Sequence, residues 1–463
     1  MRKNGLSRRR FIAGTAAGFA TAMVLPRSVW GANEKLNVAS IGCQGKGDSD
    51  SNDIGRSENM VALCDTNQNC LDKKGGQFPN AKKYKDFRKM FDEMGKEIDA
   101  VTVSTPDHTH FPASMCAILQ GKHVFCQKPL THNIWEARML AKAVKEKKLS
   151  SQMGIQGHAN EAARLVCEWI WAGLLGDVTE VHYWTNRPVW PQGLDRPKEV
   201  QPVPANLDWD LWLNVAPQRP YNGAYCPFKW RGWWDYGCGA IGDIACHVMD
   251  AGFWALDLRY PKYVSAESSG CNDETFPKWS IITLEYEARG NLKPVKIVWH
   301  DGGKMPPMPK EMEGKEPNRE CGAIFYGTQA VLTHDFYCGS CRIIPEARHK
   351  ELQPTKVPKT LPRSAPGGTM GEFIKGCKNG GDAKGANFQY AAALTEMAHL
   401  GNLALRAGPG KKVEYDPKTM KVKNLPELNK YIKREPRKEY AELYKGDDVL
   451  PMPTPDGLGG TKA

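Results

Sequence analysis

Lys128 stands between a glutamine and a proline in "VFCQKPLTH", directly after an apolar run. A lysine there adds little to a core, but its ammonium can donate hydrogen bonds to an oxygen that is gaining negative charge. Asp243 and His247, in "YGCGAIGDIACHVMD", are four residues apart and would share one face of a helix. Histidine is the side chain best able to exchange a proton near neutral pH, and a neighbouring carboxylate can orient it. Amine, imidazole and carboxylate together suit proton transfer at a hydroxyl or carbonyl. Taken singly, each has an ordinary reading, as a surface lysine or a buried structural histidine.

The elements that would position Lys128 are legible upstream. Short apolar runs, "LNVASIG", "NMVALCD", "DAVTVST", "HVFCQKP" and "SQMGIQ", alternate with helix-spaced segments such as "KDFRKMFDEMG" and "IWEARMLAKAVKEKKL". Apolar strands separated by helices predict a Rossmann-like doubly wound parallel sheet, over residues 35–156. Ligands of such sheets bind beyond the carboxyl ends of the strands, where Lys128 falls.

The first strand-to-helix turn is "GCQGKG". Against the dinucleotide pattern G-x-G-x-x-G it keeps Gly42 and Gly47, places Gln44 at the second glycine, and offers Gly45 as a neighbour. Asp65 ends the next apolar run, where a carboxylate accepts ribose hydroxyls and repels a 2′-phosphate. NAD is therefore expected ahead of NADP.

"STPDHTH" (104–110) followed by "GKHVFCQKPLTHNIWEARML" resembles the glucose-fructose oxidoreductase, inositol dehydrogenase and MocA (Gfo/Idh/MocA) family. Its members carry a Thr-Pro-x-x-x-His turn after strand four and Glu-Lys-Pro after strand five. The resemblance implies that Thr105, Pro106, His110, Gln127 and Lys128 line the cofactor crevice, with Gln127 replacing the family glutamate. It implies a lysine beside the nicotinamide and the substrate hydroxyl, often before a cis proline, and the Asp243–His247 pair opposite it. "FYGTQAVLTHDFY" (325–337) and "ALTEMAHLGNLALRAG" (393–408) extend the similarity.

From about residue 157 the composition changes. Ten of the 14 tryptophans lie between Trp169 and Trp254, many within a Pro-rich stretch from Arg187 to Trp234, so this long loop is read as ordered and functional. A helix at 160–175 and strand-like runs at 263–269, 279–287, 294–300, 323–334 and 341–344 predict a C-terminal α/β domain, 157–430, with a largely antiparallel open sheet. Aromatic rings stack on sugar faces, and carbohydrate is the expected substrate, with Trp190, Lys229, Trp230, Arg231 and Trp234 as its candidate contacts. For any one tryptophan, packing is the commoner role. Residues 431–463 read as a peripheral tail, and the sheet leaves a homo-oligomer open.

The opening 32 residues read as a signal peptide of the twin-arginine type, from Ser7, Arg8, Arg9, Arg10, Phe11 and Ile12. The apolar run Phe11 to Leu25 is shorter than the about 20 residues a bilayer needs, so no span is expected after processing. Export of the folded chain by the twin-arginine machinery to the periplasm would favour a tightly held cofactor. Six of the basic residues behind the net charge of +11 fall in this segment. With no long basic run elsewhere, nucleic acid is not an expected partner. Most of the 14 cysteines sit in apolar runs as small hydrophobes. Cys338 and Cys341 have C-x-x-C spacing without a second pair, so no metal site is expected.

The expected reaction is hydride transfer at a secondary alcohol or ketone of a sugar or cyclic polyol, with Lys128, His247 and Asp243 as the catalytic group. Two alternatives stand beside it: cofactor-retaining glycoside cleavage on the same fold, and a non-catalytic sugar-binding protein.

Overall fold

The computed structural model describes residues 35–454. The twin-arginine segment and residues 455–463 lie outside them.

Six parallel strands form the first sheet: β1 (Asn37–Ile41), β2 (Asn59–Cys64), β3 (Lys82–Tyr84), β4 (Ala100–Val103), β5 (His123–Cys126) and β6 (Ser151–Met153). Their order, β3-β2-β1-β4-β5-β6, reverses direction between β1 and β4. At that reversal, connections leave to opposite faces and open a crevice at the strand ends. Alternate residues serve the two faces: Val38, Leu63 and Phe125 pack on one side, Ala39, Ile41, Val124 and Cys126 on the other.

Seven strands form the second sheet: β7 (Val178–Thr185), β8 (Tyr263–Ser268), β9 (Ser280–Tyr286), β10 (Val295–His300), β11 (Cys321–Gly327), β12 (Val331–Asp335) and β13 (Arg342–Ile344). The order is β13-β12-β11-β7-β10-β9-β8, antiparallel except for the parallel β7–β10 pair. Helices Gly239–Val248 and Phe388–Ala407 contribute apolar residues to the core on one face. The central strand β7 is absent from the sequence expectation, which placed only a helix and a loop near it. The expected run 323–334 is two strands, because Gly327 N donates to Ala330 O and closes a hairpin.

The expected boundary at 157 is not a clean cut. Helix Gly368–Asn379 returns to the first sheet, with Phe373 edge-on to Phe125 and Lys378 paired with Glu58. Residues near 440 are not peripheral either: Tyr444 stacks on Trp135, lies edge-on to Phe111, and donates to Glu136 at 2.5 Å. An apolar surface left open by the parallel sheet is covered by chain from far along the sequence.

Candidate active site

The turn after β1 is built for close approach. A Cβ on Gly42 would lie 2.4 Å from Ser104 O, whereas one on Gly45 would meet nothing within 4 Å. Gly45 has φ +58°, and no side chain caps the helix Lys46–Gly55 that follows it. An uncapped helix start beside open space suits an anion such as a pyrophosphate. Gly47 serves packing, since a Cβ there would collide with Gly42 O. The Gln44 side chain accepts from the Cys70 thiol.

Asp65 follows β2 and faces the same cavity. Its carboxylate accepts from Cys43 N at 2.8 Å and Asn67 N at 2.9 Å. Burial pushes this carboxyl up, against the pull of those N–H groups. Gly45, the uncapped helix and Asp65 together fit the pyrophosphate and ribose of NAD.

At the end of β5 the Gln127 amide donates to Asp50 Oδ2 at 2.8 Å, which also accepts from Ser104 Oγ at 2.7 Å and lies in an ion pair with Lys46. Gln127 therefore faces a carboxylate, which a glutamate in its place would repel. The next residue turns the other way. Lys128 Nζ donates to Asp243 Oδ1 at 2.6 Å and to Asp243 O at 2.8 Å, and its peptide bond to Pro129 is cis. Asn133 then caps helix Ile134–Lys147, its side chain accepting from Glu136 N.

Asp243 and His247 lie on the buried helix Gly239–Val248, one turn apart. Arg231 Nε also donates to Asp243 Oδ1, at 3.0 Å. Burial would raise the Asp243 carboxyl, but Lys128 and Arg231 outweigh it and hold it well below the carboxylate range. His247 is buried against Phe336 and Tyr337, with no hydrogen-bond partner for Nδ1 among the described residues. Burial, helped by the Lys128 ammonium and opposed by Asp243, holds it well below the usual histidine value, so it is neutral.

Lys128, Asp243 and His247 line one cavity of about 550 Å³, together with Gly42, Gly45 and Asp65. Gln44, Thr105, Pro106, Gln127, Trp230 and Arg231 also line it.

Five expected residues do not reach the cavity: Gly47, which serves packing as above, and four more. His110 is buried with Nδ1 2.8 Å from Pro129 O and Nε2 2.9 Å from Thr105 O, bracing the two loops that carry Thr105 and Lys128. Burial pushes it down to about 4, so it is a neutral packing strut whose single ring N–H donates to one of the two carbonyls. Trp190 is buried behind Arg231 and donates to Gln192. Trp234 packs on Phe276 and Arg406, and Lys229 is exposed outside the cavity. The loop's aromatics form a cluster of their own, with Trp209 stacked on Trp212, because rings this large are most stable against each other.

Asp107, Arg187 and Tyr337 also line the cavity. Asp107 accepts from Cys238 N at 3.1 Å, and burial pushes its carboxyl up to about 7 against the pull of Arg231 and Lys128. Its only sequence signal is its place inside "STPDHTH". Cys338 and Cys341 carry free thiols, and Cys338 Sγ donates to His247 O.

Residues 36–155 match the oxidoreductase family model for the NAD-binding Rossmann fold, and residues 175–302 match that for its C-terminal alpha/beta domain. The levoglucosan dehydrogenase of Pseudarthrobacter phenanthrenivorans is 26% identical over 170 residues, 36% of this chain but only 34% of that protein. A glycosyl hydrolase family 109 protein of Solibacter usitatus is 30% identical over 187 residues, 36% of this chain and 42% of its own length. The solved levoglucosan dehydrogenase in complex with NADH and levoglucosan superposes with a TM-score of 0.55 at 16% identity, over 82% of this chain and 99% of that one, a likeness of fold. With both domain models matched in order, and a crevice that fits NAD between them, the chain belongs to the Gfo/Idh/MocA family of NAD-binding oxidoreductases.

Proposed function

We propose that this protein is an exported NAD-dependent oxidoreductase acting on a secondary alcohol or ketone of a sugar or cyclic polyol. The observation that carries the reading is the meeting of Lys128, from the nucleotide half, with Asp243 and His247, from the other half, in the cavity that holds Gly45 and Asp65. Bound NAD supplies the hydride acceptor. The residues of the chain handle the proton. Lys128, oriented by Asp243, donates to the substrate oxygen, while the neutral His247 takes the hydroxyl proton as the carbonyl forms. Asp243 holds the lysine in place. Trp230 and Arg231 provide an aromatic and cationic wall beside them. The test is to supply NAD with a panel of sugars and polyols and to follow reduced nicotinamide. No reduction with any of them, in protein shown to bind NAD, would refute the reading.

A second reading, cofactor-retaining glycoside cleavage, is supported by how the aromatic loop crosses the crevice. Gln68 N donates to Asn206 O, Asp208 N to Thr66 O and Asn206 Nδ2 to Asn67 Oδ1, so the loop is tied to the segment after Asp65. Leu207 and Trp212 line the cavity from above. A cofactor under this strap would leave slowly. In such a cycle a ring carbinol is oxidised, the aglycone leaves by elimination beside the ketone, water adds, and the ketone is reduced again. Aglycone release from glycosides without added NAD would select this reading; NAD consumed in step with product would select the first.

Export rests on Arg8 and Arg9 within the twin-arginine pattern. Replacing both with lysine should hold the protein in the cytoplasmic fraction, and unchanged delivery to the periplasm would remove the assignment.

A further inference from the structure

The charges around the cavity are unevenly spread. On the nucleotide side Lys46 is matched by Asp50. On the substrate side three cations, Lys128, Arg231 and Arg187, line the wall, and among the described residues Asp243 is the carboxylate paired with any of them. It serves both Lys128 and Arg231 through the same oxygen, Oδ1. Asp107, the other acid there, is protonated in part near neutral pH because burial raises it to about 7. This end of the crevice therefore carries an excess of positive charge.

Both arginines are set to use that charge. Arg231 lies over Trp230, its guanidinium 4.2 Å from the ring centroid, and is fixed by Nε on Asp243. No hydrogen bond holds its two terminal nitrogens among the described residues. Arg187 begins the aromatic loop. Its main chain is pinned on both sides: Arg187 N donates to Thr185 Oγ1, and Gly302 N donates to Arg187 O. Its Nη1 donates to the neutral Asn186 Oδ1, and no carboxylate pairs with it among the described residues. Arg187 lines the same cavity as Tyr337 and His247, whose ring centroids lie 5.1 Å apart, so it shares the reacting end of the crevice. A half-buried guanidinium without a counter-ion is a ready partner for anionic oxygens.

We infer that the crevice selects a sugar bearing an anionic substituent, a carboxylate or a phosphate ester, held by Arg187 with the terminal nitrogens of Arg231, while Lys128 and His247 face the ring hydroxyl. This deepens the oxidoreductase reading and rests on it for the sugar ring, but not for the charge preference.

The test measures binding to the NAD-loaded protein by calorimetry, so that it does not depend on turnover. The probes are methyl glucoside and methyl galactoside, the corresponding methyl uronides, and the two hexose 6-phosphates. At least one anionic probe should bind about tenfold or more tightly than its neutral counterpart, with the margin shrinking as salt is raised. Whether uronide or phosphate shows the gain identifies the anion. Arg187→Gln should remove about tenfold from the anionic affinity and leave the neutral sugar and NAD unchanged. Arg187→Lys should recover part of it, which separates lost charge from lost folding. Equal or tighter binding of the neutral sugar, no binding of any anionic probe, or an equal loss for both classes in Arg187→Gln overturns the inference. Anion-selective binding without hydride transfer to NAD would instead count against the oxidoreductase reading and leave the preference standing.

Discussion

Lys128 Nζ lies 2.6 Å from Asp243 Oδ1, an ion pair that ties the end of β5 to helix Gly239–Val248 across 115 residues of sequence. Because the same lysine also donates to Asp243 O, its ammonium is directed by two acceptors of one residue. The pair is part of both the join between domains and the proposed chemistry.

Replacing Lys128 by methionine should lower turnover by about 10² to 10⁴, the usual range for a lost acid–base or electrostatic partner. NAD binding, followed by quenching of tryptophan fluorescence, should persist, because Gly45 and Asp65 are untouched. Near-native turnover would remove Lys128 from the mechanism.

The Asp107 carboxyl carries a testable pH signature. Burial raises it from the ordinary value to about 7 in the folded protein. Between about pH 4 and 7 the folded state then binds more protons than the unfolded one, so this group lowers stability as pH rises, with the full deficit above 7. Asp107→Asn should raise the thermal midpoint at pH 8 and change it little at pH 4. The gain at pH 8 has an upper bound of about 4 kcal/mol, from about three pH units of proton affinity. A gain that is equal at both pH values would show that the carboxylate is not strained by burial.

Gln127→Glu would set a second carboxylate against Asp50, where an amide now donates at 2.8 Å. It should cost about 1–3 kcal/mol by denaturant titration near pH 8, with less loss in acid. Adding Asp50→Asn should recover much of that loss, because the polarity of the pair is then reversed. Failure of the double variant to recover any stability would show that the effect is not electrostatic.

Asn206→Ala removes the side-chain bond from the aromatic loop to Asn67 and leaves the two main-chain bonds beside it. NAD dissociation should quicken by about two- to tenfold, as expected for one hydrogen bond. Stopped-flow displacement of bound NADH measures this directly, and an unchanged rate would show that the loop does not gate the cofactor.

Features set within a few neighbouring residues were legible in the sequence. The turn "GCQGKG", the strand-end acid Asp65, the Lys128–Pro129 step and the i,i+4 spacing of Asp243 and His247 depend on backbone geometry over one turn or strand. The family patterns, too, are local strings. What the sequence did not disclose depends on which distant segments are driven together to bury apolar surface. Strand β7 takes the centre of the second sheet only through partners at β10 and β11. His110 is a strut because two carbonyls close on it, and Trp190 and Trp234 serve packing because other rings and cations cover them. Asp107 gains its near-neutral carboxyl from burial, against the pull of cations that include Arg231 of the other domain. Local strings specify which groups are present; long-range packing specifies what each faces, and therefore its charge and its role.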